Sequence, residues 1–118
     1  MQRLRRRADF LKAATGAKAP AAAFVLQAVS RGEDGQARVG FTVSRKVGGA
    51  VERNRVKRRL RELVRRSTAA LCPGYDYVVV GRRTALQEPF GRMAAAFDAA
   101  LHRVHAAKSD RAARPMPR

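Results

Sequence analysis

The sequence predicts a small α/β domain in which helices pack on a mixed β-sheet. Three observations carry that reading. Residues 37–44 alternate cleanly: Val39, Phe41 and Val43 face one way, and Arg38, Gly40, Thr42 and Ser44 the other, the period of a strand with one covered face. Residues 75–81 run Tyr-Asp-Tyr-Val-Val-Val-Gly, an apolar stretch that suits a central strand covered on both faces. Between them Val56, Leu60, Leu63 and Val64 fall at i, i+4, i+7 and i+8, one apolar stripe of a helix that starts near Ala50 and runs to about Ala70. Two strands joined through a helix are expected as parallel neighbours, and the general rule makes such a crossover right-handed.

The other elements follow in chain order. Asp9 is placed to cap a short helix from about Phe10 to Thr15, ended by Gly16. Lys18-Ala19-Pro20 reads as a connector. Residues 23–29 suit a strand with Phe24, Leu26 and Ala28 on one side. Residues 30–35, with Glu33-Asp34 between two glycines, are turn material, so this strand and 37–44 are expected to pair as an antiparallel hairpin. Arg45-Lys46-Val47-Gly48-Gly49 is a basic loop, and Pro73-Gly74 closes the long-helix segment. After Pro89, the residues Phe90, Met93, Phe97, Leu101 and Val104 line one face of a last helix that should cover the sheet. Residues 1–107 are thus expected to form one domain. Residues 108–118, with Arg111, Arg114, Pro115 and Pro117, have no pattern and are expected to be a disordered basic tail.

Charge narrows the function. The 118 residues hold 26 Lys and Arg against 9 Asp and Glu, a net charge of +17. That charge repels itself and cannot stabilise a fold, so a polyanion is the expected partner: nucleic acid first, an anionic membrane surface second. No apolar run approaches the roughly 20 residues of a spanning helix. The basic start at residues 3–7 has no apolar stretch behind it, unlike a secretory signal. Cys72 is the only cysteine, so no intramolecular disulfide can form, which fits a reducing cytoplasm.

The positive charge is concentrated on the long helix. Eight Lys or Arg occupy positions 53–66, opposed locally by Glu52 and Glu62. Opposite the apolar stripe, Asn54, Arg58, Arg61 and Arg65 recur at i, i+4, i+7 and i+11, a row that can follow a sugar-phosphate backbone. Arg53 and Arg55 in the first turn lie beside Arg45 and Lys46, where free backbone N–H groups add partial positive charge. Phe10, next to the basic start, offers a ring for stacking an unpaired base if its helix lies beside the sheet. Catalytic groups look absent. The carboxylates are scattered, Cys72 has no activating signature, and His102 and His105, one helical turn apart, have no evident third ligand and read as solvated.

The run from Gly40 through Phe41-Thr42-Val43-Ser44-Arg45-Lys46-Val47-Gly48, followed by Ala50-Val51-Glu52-Arg53-Asn54-Arg55-Val56-Lys57-Arg58-Arg59-Leu60-Arg61-Glu62, resembles the signature of the bacterial ribonuclease P protein subunit. The likeness extends from about Leu4 to Val104. It includes Arg6-Arg7-Ala8-Asp9-Phe10, the Phe24-Val25-Leu26 strand and the Gly74-Tyr75-Asp76-Tyr77 strand start. The resemblance implies an α+β two-layer sandwich whose parallel crossover is left-handed, against the general rule. It implies a protein that binds the catalytic RNA of ribonuclease P and assists recognition of precursor tRNA, while the RNA, with Mg²⁺, removes the 5′ leader. By matching position, Ser44, Arg45, Lys46, Arg53, Asn54, Arg55, Lys57, Arg58 and Arg61, with Arg65 on the same row, would contact the RNA subunit or its bound metal. Arg6 and Phe10 would line the cleft for the single-stranded leader. Family members often carry a second aromatic where this chain has Ala14, and an aromatic on the first strand where it has Gln27, so leader stacking is expected to rest mainly on Phe10. The rival readings are a structural RNA-binding protein, which would copurify with ribosomal RNA, an autonomous nuclease, which would cut after removal of all RNA, and a reader of double-stranded DNA. No membrane and no small-molecule substrate is expected.

Overall fold

A computed structural model describes residues 2–32 and 35–113. Five strands form one mixed sheet: β1 (Gln2–Arg3), β2 (Ala17–Pro20), β3 (Phe24–Ser30), β4 (Arg38–Val43) and β5 (Tyr75–Gly81), in the order β1-β4-β5-β3-β2. Three helices accompany it: α1 (Arg7–Ala14), α2 (Ala50–Arg66) and α3 (Phe90–Ala113). The continuous apolar run of β5 does take the centre, parallel to β4 and antiparallel to β3.

The expected hairpin between the strands at 23–29 and 37–44 does not form, because β5 lies between them. The connection from β3 to β4 instead crosses the end of β5. Arg31 N–H donates to Gly74 O at 2.8 Å and Gly74 N–H to Gly35 O at 2.8 Å, so the turn before β5 is stitched to that connection. A turn-rich linker signals reversal of direction but not which strand becomes the neighbour. Lys18-Ala19-Pro20 is likewise part of an edge strand, β2, paired with β3, and not a bare connector. The expected turn at Glu33-Asp34 and the tail beyond Ala113 lie outside the described residues. Helix α3 itself continues to Ala113, past residue 107 where the apolar pattern stops.

Helices α2 and α3 cover one face of the sheet. Val56, Leu60, Leu63 and Val64 of α2 and Met93, Phe97, Leu101 and Val104 of α3 pack with Phe24, Leu26, Val39, Tyr77 and Val79 in the main core. Gly81 lets α2 approach: a Cβ there would lie 2.7 Å from Val56 Cγ1. On the opposite face, α1 covers part of the sheet through Ala13, Leu4 and Val78, with Phe10, Val29 and Val80 half-buried around them.

Helix α1 begins three residues earlier than the sequence suggests. Arg6 occupies its N-cap without a side-chain cap bond, and Asp9 sits in the first turn. Its carboxylate lies 3.6 Å from Arg38, where a cap bond would have used it. Arg38 also grips Asp76 with two hydrogen bonds of 2.7 Å, and Arg31 donates to the same carboxylate at 2.8 Å. Asp76 is 2% exposed. Burial by itself raises its carboxyl pKa, but the hydrogen bonds and charges of Arg38 and Arg31 outweigh that and hold it below the ordinary value.

His105 is not the solvated helix histidine that the sequence suggests. Its Nε2 lies 2.7 Å from the Tyr77 hydroxyl, which also accepts the Cys72 N–H at 2.9 Å. Burial pushes the Tyr77 phenol upward, so the hydroxyl stays protonated and ties α3 to β5. His102, by contrast, is exposed.

Candidate nucleic-acid interface

The surface starts in the loop before α2. Ser44 follows β4 and caps a single 3-10 turn, Arg45–Val47, its hydroxyl accepting the Lys46 N–H at 3.3 Å. Val47 is buried and its carbonyl is held by Arg83, so the turn is anchored while Arg45 and Lys46 project outward. Gly49 at the N-cap of α2 supplies no side-chain acceptor. Glu52 folds back toward that end, within 3.1 Å of where a Gly49 Cβ would sit, and partly offsets the arginines of the first turn.

The buried seam of α2 fixes where its cations point. Asn54, Arg55, Arg58 and Arg61 are exposed, and Arg53 and Lys57 are half-buried. No ion pair engages Arg53, Arg55, Lys57, Arg58 or Arg61 among the described residues. Arg61 Nε reaches only its own helix, at Lys57 O, 3.5 Å away. Arg65 pairs with Glu62 one turn back, but both are exposed, and such a pair holds a side chain weakly.

One arginine of the run behaves differently. Arg59 turns inward and donates to Ala85 O at 2.6 Å and Glu88 O at 2.7 Å, docking α2 on the segment before α3. The spacing carries that signal: Arg59 is three residues after Val56 and four before Leu63, at the border of the apolar stripe. Arg66 lies over the Phe90 ring at 5.7 Å and serves the same helix junction.

Phe10 lies on the other side of the sheet, its ring directly over Gly40. A Cβ at residue 40 would stand 2.5 Å from Phe10 Cζ, so only glycine admits the ring there. Ala14 and Gln27 are half-buried, and Gln27 shares the α1 face of β3 with Val25 and Val29. Arg6 is exposed, but the hollow beside Phe10 is lined by Arg5, Arg7, Leu11 and Thr42. Arg5 and Arg7, which sequence reasoning did not single out, are the arginines that share this hollow with the ring. A second hollow, about 400 Å³, brings Phe10 together with Lys57 and Arg61 of α2, across β4, with Arg3, Leu4, Arg5 and Phe41.

The fold and this one-sided, acid-poor surface define a class: small α/β proteins with a cationic helix face and a neighbouring hollow that holds an aromatic ring. Comparison with known proteins narrows the class to a family. The sequence model of the Ribonuclease P family matches residues 1–105. The Ribonuclease P protein component of Paramagnetospirillum magneticum is 47% identical over 119 residues, covering 96% of this chain and 90% of its own. That of Ruegeria pomeroyi is 46% identical over 109 residues, covering 89% and 87%. Among solved structures, the RNase P protein from Thermotoga maritima superimposes with a TM-score of 0.74 at 32% identity, covering 88% of this chain and 98% of that one. The chain belongs to the ribonuclease P protein family. Membership associates it with an endoribonuclease of tRNA processing and implies an RNA partner.

Proposed function

We propose that this chain binds the catalytic RNA subunit of ribonuclease P through the α2 face and its preceding loop, and receives the 5′ leader of precursor tRNA at Phe10. The observation that carries the reading is the α2 surface itself. A buried Val/Leu seam holds one side of the helix to the core, while Arg53, Arg55, Lys57, Arg58 and Arg61 are left without acidic partners among the described residues. Ser44, Arg45, Lys46 and Asn54 extend that surface, and Arg65 joins it by releasing its exposed bridge to Glu62. Arginine forks suit phosphate oxygens, and clustered cations gain by displacing counterions from RNA.

In this reading the RNA performs the cut, and the protein positions. Mg²⁺ accompanies the RNA, with phosphate oxygens as its proposed ligands. The leader lies over Phe10 with Arg5, Arg6 and Arg7 nearby, and the complex works in the cytoplasm. Among the described residues no helix is long and apolar enough to cross a membrane.

The test mixes the protein with the RNA subunit and labelled precursor tRNA at low Mg²⁺. Protein-stimulated release of the leader is expected, with no cleavage by the protein alone. Unchanged RNA-only cleavage, or cutting by RNA-free protein, would refute the proposal.

A further inference from the structure

The hollows beside Phe10 do not end at α1. The one lined by Arg5, Arg7, Phe10, Leu11 and Thr42 shares Arg5 and Phe10 with the hollow over the edge of β4. That second hollow shares Arg3, Phe41 and Arg61 with a third, about 280 Å³, which runs between β1 and α2 to Arg65. Together they make one trough from α1, round the side of β4, onto the α2 face.

The strand pairing explains why the trough exists. β1 pairs with Arg38 and Val39, and among the described residues the Leu4 N–H, donated to Val39 O at 2.9 Å, is the last bond across. Among the described residues, no strand neighbours the outer edge of β4 from Gly40 to Val43. The carbonyls of Ala37 and Val39 point to that edge, because both accept from the β1 segment. Phe41, two residues further along, therefore presents its main-chain N–H and C=O the same way. Its ring is half-buried against the main core and lines the trough, and Arg3 and Arg61 flank it.

An open β edge can accept a peptide strand. Here the flanking charge argues for RNA: Arg3, Arg5, Lys57, Arg61 and Arg65 line the trough, and among the described residues no carboxylate does. We propose that the open edge of β4 is a nucleotide subsite, with a base against the Phe41 ring and its phosphate between Arg3 and Arg61. The subsite links the Phe10 cleft to the α2 face, so that one RNA strand can pass between them. The site rests on the proposed leader reading only in naming that strand as the leader.

The test uses the reconstituted ribonucleoprotein and precursor tRNAs carrying 4-thiouridine at successive leader positions. Crosslinking is expected to the peptide holding Phe10 from one position and to residues 3–5 or Phe41 from a neighbouring one. F41L keeps the apolar packing but removes the aromatic face, and R3Q removes an exposed charge. F41L should weaken binding of precursors whose leaders reach the second position by roughly five- to a hundred-fold, the worth of a stacked base. R3Q should weaken the same precursors, and neither variant should affect precursors with shorter leaders. Crosslinks to Phe10 but never to residues 3–5 or 41 would overturn the subsite while leaving the leader cleft. Crosslinks to Phe41 alone would keep the subsite and refute the Phe10 reading. Crosslinks to neither, or F41L and R3Q binding every leader length like the wild type, would remove it altogether.

Discussion

Phe10 and Gly40 form the contact on which the proposed leader cleft depends. The ring stands where any Cβ at residue 40 would go, with Leu4 Cβ a further limit at 3.1 Å. Gly40→Ala must swing the ring aside. The expected cost to stability is about 1 kcal/mol, at the low end of overpacking because a ring can rotate away. The loss should fall on leader-dependent affinity and spare affinity for the RNA subunit. Binding of precursor tRNA with and without a leader checks this, and unchanged leader dependence would contradict it. Phe10 was legible as a candidate because it stands beside a basic run and outside an apolar stripe. Gly40 was not: alternation gives a residue's face, not what sits above it. Arg5 and Arg7 were missed for the same reason, since five neighbouring positions carry four arginines that the sequence cannot rank.

Helices and strands here are tied by a few polar residues that periodicity does not reveal. Asp76 is the main one. It receives Arg38 from β4 and Arg31 from the connection after β3, and Arg38 in turn reaches Asp9 on α1. Because its pKa is lowered on folding, its stabilising effect is full above the unfolded value near about 3.9 and fades as pH falls through the lower folded value. Asp76→Asn leaves two guanidinium groups short of their partner and should cost about 3 kcal/mol at neutral pH. The gap between wild type and variant should narrow as pH falls below about 4, where the unfolded carboxyl takes up its proton first and the folded one follows at lower pH. Thermal melting against pH measures this, and parallel curves would contradict it. Long patterned elements were readable: α2, α3, β4, β5 and the parallel pairing through α2 all follow from apolar spacing. The short β1 and β2 and the insertion of β5 between β3 and β4 were not, because they arise from pairing partners far apart in the chain. His105 misled for a similar reason, its partner Tyr77 being 28 positions away.

The whole molecule carries a net charge of +17, and three of its acids are spent on cations within the domain: Asp76 and Asp9 on Arg38, and Glu62 on Arg65. The excess positive charge is therefore left facing outward, and α2 orders it into a surface that a folded polyanion can meet. That such a surface existed was evident from composition and the stripe of α2. That it joins Phe10 around the open edge of β4 required the strand order. If on the order of five cations replace counterions, log K for the RNA subunit should fall with log salt at a slope of about −3.5 to −4.5. The most direct test is the salt dependence of that binding for the wild type and for the triple variant R55A/R58A/R61A. The account predicts the steep slope in the wild type and one shallower by about one per phosphate contact removed in the variant. A slope near zero, or one the three substitutions leave unchanged, would contradict it.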